Sequence, residues 1–224
     1  LVTPTIHLFD ETCLIVAFDG RQWNALHDEQ EIERDRHHFF SSKLHLFHPE
    51  QLSTKEEETL FKAHFSHYQA ADYLIQHEEV AKGLYLFWAF TKEKRSQESK
   101  ESNQEDFPKT HIASTWLKGC LHSETAEDTL HCMEIHNRLY VAHIRQNRLL
   151  FYQSFPCPSH SMMLYYIYQC IQELHLEPES TFFQCLTETD LDNKVSHELQ
   201  ARIANVFLGN SFEGLLNSMD IKPK

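Results

Sequence analysis

Three short apolar runs stand almost back to back in the second half of the chain: LHCMEIH (130–136), LYVAHIR (139–145) and RLLFYQSF (148–155). Gaps of two or three polar residues leave room only for tight turns, so the runs are predicted to form an antiparallel meander. PCPSHSMMLYYIYQCIQELHLEPES follows, in which Ser159 or Ser161 can cap a helix. Met163, Ile167, Cys170 and Ile171 or Leu174 recur at helical spacing, and Pro178 bars continuation. The helix is apolar on nearly every face and is expected to be buried. TFFQCLT (181–187) reads as a strand, and a helix beginning near Asp192 or Ser196 would carry Leu199, Ile203 and Phe207 on its inner stripe. The element order is βββαβα.

The first half repeats that order more loosely. IHLFD (6–10), TCLIVAFDG (12–20) and a short run near WNALH precede EQEIERDRHHFF (29–40), a charged stretch with helical potential. KLHLFHP (43–49) alternates as a strand, and Ser53 opens STKE, a capping box in which Glu56 can bond back to the cap. The helix begun there would place Leu60, His64 and His67 on adjacent turns, and LYLFWAF (84–90) has the composition of a buried strand. TKEKRSQESKESNQEDFPKT (91–110) is charged and nearly without large apolar residues, as a solvated linker or, alternatively, a docking arm would be. The expected organisation is an α/β duplication, with halves at 1–90 and 111–224 joined by 91–110 and each built on a mixed sheet.

Composition narrows the function. A formal charge of -13 argues against a nucleic-acid partner. The 6 cysteines are scattered without a CxxC pair, as expected of reduced thiols in a cytoplasmic protein. The longest strongly apolar run, MMLYYIY (162–168), is far short of the ~20 residues that span a bilayer, so no membrane insertion is expected. Only 5 glycines occur, where average usage would give roughly 16, and no glycine-rich phosphate loop can be assembled from them.

NRLYVAHIRQNRLLFYQSFPCPSHSMMLYYIYQCIQELHLEPESTFFQCL, with THIASTWLKGCL (110–121) before it, resembles the C-terminal half of an uncharacterised Bacteroidetes family, domain of unknown function 3822. The resemblance implies a duplicated ribonuclease-H-like architecture, the actin-like ATPase fold also found in sugar kinases, heat-shock ATPases and pilus or division proteins. In active members of that fold, the hairpin joining the first two strands of each half carries Asp-x-Gly. Its backbone amides approach the nucleotide phosphates, and the Asp handles Mg²⁺ or its water.

Here the corresponding hairpins read Asp10-Glu11-Thr12 and Glu134-Ile135-His136-Asn137-Arg138, and neither has the glycine. A side chain at that position blocks close approach of the backbone. The adenosine-binding Gly-Gly also lacks a counterpart, because Gly209 and Gly214 stand apart. The expectation is a pseudo-ATPase that needs no cofactor and acts through contacts with an unidentified protein partner or a second copy of itself. Asp10 alone maps onto a catalytic position of the fold, and its favoured reading is a turn-forming Asx residue. The alternative is a divergent ATPase or nucleotide sensor holding ATP and Mg²⁺ with Asp10, Thr12, Asn137 and Arg138, which the fold would set on hairpins facing the cleft. Analogy with pilus and division relatives adds a third reading, a role in envelope assembly.

Other chemistries find less support. His45-x-x-His48 and His64-x-x-His67 could pair imidazoles, but no HExxH or third ligand accompanies them, and no metal is expected. Cys157 and His160 lie at a helix N-terminus, where a thiolate is favoured, yet no third partner or oxyanion loop is recognisable. No G-x-S-x-G occurs. Tyr165, Tyr166 and Tyr168 with Phe151, Tyr152 and Phe155 form an aromatic strip that serves either as core or as a partner surface.

Overall fold

The computed structural model describes the backbone of strands at 5–8, 12–18, 23–26 and 36–40, together with residues 44–92, 110–122, 128–211 and Gly214. The chain divides into two compact units, Leu1–Thr115 and Trp116–Lys224. In the first, β1 (Thr5–Leu8), β2 (Thr12–Phe18), β3 (Trp23–Leu26), β4 (Arg36–Phe40) and β8 (Thr110–His111) make a sheet of order β3-β2-β1-β4-β8. The β1-β2 and β2-β3 pairs are antiparallel, whereas β1-β4 and β4-β8 are parallel. Between β4 and β8 the chain builds a second, three-stranded sheet from β5 (Leu44–His48), β6 (Tyr73–Ala81) and β7 (Leu84–Thr91), in the order β5-β7-β6.

The helix α1 (Thr54–His64) covers one face of that small sheet, with Phe61 at 0% exposure against Leu44, Phe87 and Ala89. It starts where the sequence predicts, with Ser53 and Glu56 closing the capping box. The Ser53 N–H and Oγ both donate to the Glu56 carboxylate, at 2.9 and 2.6 Å, and hold its pKa below the usual value. The helix stops at His64 because Phe65 turns extended, so His67 lies beyond it and not on the next turn. Two further expectations are corrected. KLHLFHP is a strand of the inserted sheet, and the fourth strand of the main sheet is β4, which occupies the end of the stretch read as helical. Pairing with β1 overrides the helix propensity of a charged segment whose last residues, His37 to Phe40, suit either state. Residues 27–35 lie outside the described residues.

The second unit carries α2 (Ile112–His122), in which the boundary between units falls, then β9 (Asp128–Ile135), β10 (Arg138–Arg145), β11 (Arg148–Pro156), α3 (His160–Glu173), β12 (Phe182–Thr187), α4 (Asn193–Arg202) and β13 (Asn205–Asn210). The sheet order is β11-β10-β9-β12-β13, antiparallel through the meander and parallel from β9 to β13. This repeats the pairing pattern of the first unit's main sheet, strand for strand. Met163, Ile167 and Cys170 of α3 and Val195 and Leu199 of α4 pack on Leu130, Cys132, Val141, Phe183 and Cys185 from one sheet face. Ile167 is 1% exposed, and truncating such a residue to Ala costs about 2–5 kcal/mol.

Ser159 caps α3 by accepting the Met162 N–H. Its C-terminus is a Schellman arrangement, in which Leu176 N–H donates to Ile171 O at 3.0 Å and His175 N–H to Gln172 O at 3.2 Å, with His175 at φ 51. Contrary to the expectation of a helix buried on all sides, α3 turns Ser161, Tyr165, Gln169 and Gln172 to solvent. Phe207 is likewise no part of a helical stripe. The helix α4 ends at Arg202 because Ile203 is extended, and Phe207 sits on β13 with 50% exposure. Among the described residues no helix is long and apolar enough to cross a membrane.

Candidate functional site

Ligands of open α/β sheets gather outside the carboxyl ends of the parallel strands, where loops diverge. In the second unit those ends belong to β9, β12 and β13, and they bring together Glu134, His136, Glu188 and Ser211. The β9-β10 connection is a two-residue hairpin, because Ile135 pairs with Arg138. His136 and Asn137 take φ 52 and 57, the type I′ geometry that matches strand twist. In a glycine-poor chain these left-handed positions fall to His and Asn.

The turn's amide is already engaged. His136 N–H donates to Glu188 Oε2 at 2.7 Å, and Glu188 N–H donates in turn to Glu134 Oε2 at 3.1 Å. Ser211 Oγ donates to the Glu134 carbonyl at 2.5 Å, and Asn210 Nδ2 reaches the Glu188 carbonyl at 3.5 Å. Carboxylates therefore stand where a phosphate-binding hairpin would offer donors. Glu134 is only 8% exposed, and burial pushes its carboxyl above the usual range. The Glu188 N–H opposes that rise, the neighbouring Glu188 charge adds to it, and the charge of His136 works against it. A pair of close carboxylates with one pKa raised can hold a proton but repels a polyphosphate.

The residues singled out from sequence are placed as follows. Asn137 sits at the hairpin tip, and its carbonyl accepts the Cys157 N–H at 2.6 Å. Arg138 opens β10 and gives its guanidinium to Ser154 Oγ on β11 at 2.9 Å. Thr12 opens β2 opposite Leu8, and Asp10 lies outside the described residues. Cys157 is buried, donates to Ser159 O, and burial pushes its thiol up to about 11, which disfavours a nucleophilic thiolate. His45 is buried against His111 with ring centroids 4.8 Å apart, while His48 lies against Phe87 on the α1 side. Among the described residues no group of three His, Cys, Asp or Glu could hold a metal ion.

Glu188 and Ser211 escaped the sequence reading because their contacts span 52 and 77 residues. For Glu188 the available signal was positional, as the first residue past the predicted strand TFFQCLT, whereas Ser211 follows β13, which the sequence reading had placed in a helix.

The family description "Protein of unknown function (DUF3822)" matches residues 36–206. No curated protein matches the chain. Among solved structures, a Bacteroides thetaiotaomicron protein with actin-like ATPase fold and unknown function aligns with TM-score 0.68 at 13% identity, covering 96% of each chain. The PilM-PilN type IV pilus biogenesis complex aligns with TM-score 0.50 at 10% identity, covering 90% of this chain and 86% of that one. The cytoplasmic domain of EpsL, an inner membrane component of the Vibrio cholerae type II secretion system, reaches TM-score 0.48 at 8% identity, over 99% and 95% of the two chains. At such low identity the first two likenesses speak to fold alone, and they agree with the repeated sheet order. The family match spans most of the chain, and the protein belongs to the DUF3822 family of unknown function, built on the actin-like ATPase fold.

Proposed function

We propose that this protein is a pseudo-ATPase, a non-catalytic actin-like module that works through protein–protein contacts in the cytoplasm. The observation that carries this reading is the Glu188 carboxylate on the His136 amide. In the active form of such a hairpin the backbone donors meet phosphate oxygens, and a fixed carboxylate there both occupies the donor and repels the ligand. The non-glycine residues at both positive-φ positions support the same conclusion, since their side chains crowd the approach. The PilM-PilN structure, described as a complex, supports the idea that this architecture suits assembly. Buried thiols at Cys120, Cys132, Cys157, Cys170 and Cys185 suit a reducing compartment. The partner is a protein of unknown identity or a second copy.

Isothermal titration with ATP and ADP in Mg²⁺ tests the reading. No heat at millimolar nucleotide is expected. Micromolar binding that is lost on Asp10→Ala or Arg138→Ala would overturn it and make the protein a divergent nucleotide switch.

A further inference from the structure

Glu188 is held twice over, and the two holds are separable. Its backbone is tied to neighbouring strand ends, because its N–H donates to Glu134 Oε2 at 3.1 Å and its carbonyl accepts from Asn210 Nδ2 at 3.5 Å. Its side chain makes a different bond, accepting the His136 N–H on Oε2 at 2.7 Å. Deleting the carboxylate therefore frees the turn amide and leaves the segment where it is. His136 is half-buried and Asn137 exposed, so the turn lies at the surface and an ion from solvent reaches it without opening the core.

The charge on that bond is the informative part. A turn amide needs an acceptor, and a neutral oxygen satisfies it as well as an ionised one does. Here the acceptor is a carboxylate standing beside a second one. Burial raises the Glu134 carboxyl, and the Glu188 charge adds to that rise. A like-charged neighbour is tolerated at a donor that favours anions: turn amides make short, charge-assisted bonds to oxyanions, and a carboxylate oxygen presents the same acceptor as a phosphate oxygen. The charge of His136, which opposes the rise at Glu134, also favours an anion at this turn.

We infer that Glu188 is an autoinhibitory internal ligand, seated on a latent site for a small inorganic oxyanion of the phosphate class, and that this one side chain keeps the site closed. The inference rests on the reading of the hairpin as blocked, and it assigns the block to Glu188 instead of the turn's own side chains.

The test follows the His136 amide by nuclear magnetic resonance while inorganic phosphate is titrated into the full chain at constant ionic strength, with chloride as the reference salt. In Glu188→Ala the amide is expected to shift saturably, with half-saturation at a phosphate concentration at least about tenfold lower than in the wild type. Glu188→Gln keeps a neutral acceptor on the amide and should stay unresponsive, which separates occupancy from charge. Asp190→Ala removes an exposed carboxylate nearby and should also change nothing. The amides of Gln146 and Asn147, in the meander's other hairpin, report whether each variant keeps its fold. A silent Glu188→Ala chain with those amides in place, a wild type that saturates as readily, or an equal response in Glu188→Gln or Asp190→Ala would each overturn the inference. Nucleotide titration is read separately: if the wild type binds no nucleotide and Glu188→Ala is silent, the lock is lost and the contact module stands, whereas nucleotide binding by the wild type removes both.

Discussion

The two hairpins of the second unit's meander have the same backbone and different surroundings. His136-Asn137 and Gln146-Asn147 are both two-residue turns with φ between 50 and 58 at each position, closed by the pairs Ile135–Arg138 and Arg145–Arg148. They sit at opposite ends of β10. At the first, the carboxyl ends of β12 and β13 deliver Glu188 and Ser211, and the turn becomes the centre of a hydrogen-bonded set. The second joins the edge strand β11, where the nearest described ion pair is the bond from Arg145 to Asp128 at 2.8 Å, itself next to the His143–Asp128 contact. Identical turn geometry thus carries no chemistry of its own. Position relative to the parallel strands decides whether a hairpin becomes a site.

Four measurements would break or sharpen that contrast, each by urea unfolding. Asn137→Val should cost the most, about 2–4 kcal/mol, because a β-branched residue at positive φ strains the turn and moves the His136 amide off Glu188. Glu188→Ala should cost about 1–2 kcal/mol, the lower part of the range for a bond to a charged acceptor, since the group is only half-buried. Asn147→Val should cost about 1–2 kcal/mol from turn strain alone. In a Glu188→Ala background the Asn137→Val penalty should fall to that of Asn147→Val, a coupling on the order of 1 kcal/mol. Equal penalties at the two turns in the wild-type background would show that Glu188 adds nothing.

The smallest effect is a pH dependence. Burial raises the folded pKa of Glu134 above the unfolded value of about 4.3, so the folded protein binds the proton more tightly. Stability from this group is therefore lost as pH rises from about 4.3 through the raised folded value. Glu134→Gln should flatten that decline in the urea midpoint. Asp128 acts in the opposite sense and in a separate window. Burial raises its pKa, but the bonds from Arg145 and His143 outweigh that and lower it, so its contribution is lost as pH falls below about 3.9. A decline that persists unchanged in Glu134→Gln would assign the effect to another group.

Much of the fold was legible. Closely spaced apolar runs 130–155 could only turn back on themselves, and Ser53-Glu56 and Ser159 named their helix starts. The failures share a cause. Arg36–Phe40 and Phe207 were assigned by local composition, yet both became strands because β1 and β12 offered them a partner. The inserted sheet was missed for the same reason: β5 and β7 each read correctly as strands, but nothing in their residues says that they pair with one another instead of joining the main sheet. Of the candidate site, the hairpin was visible and its occupant was not.

Local patterning by itself determined the three-stranded meander of the second half, the strand TFFQCLT and the helix caps at Ser53 and Ser159. These follow from alternation, spacing and the backbone preferences of neighbouring residues. Only the tertiary structure decided that Glu188 would meet His136 across 52 residues, that Glu134 would be buried with its carboxyl beside it, and that Tyr165 would face solvent. The reason is that hydrogen bonds and burial depend on which strand ends converge, and convergence is a property of sheet order that short-range sequence does not encode.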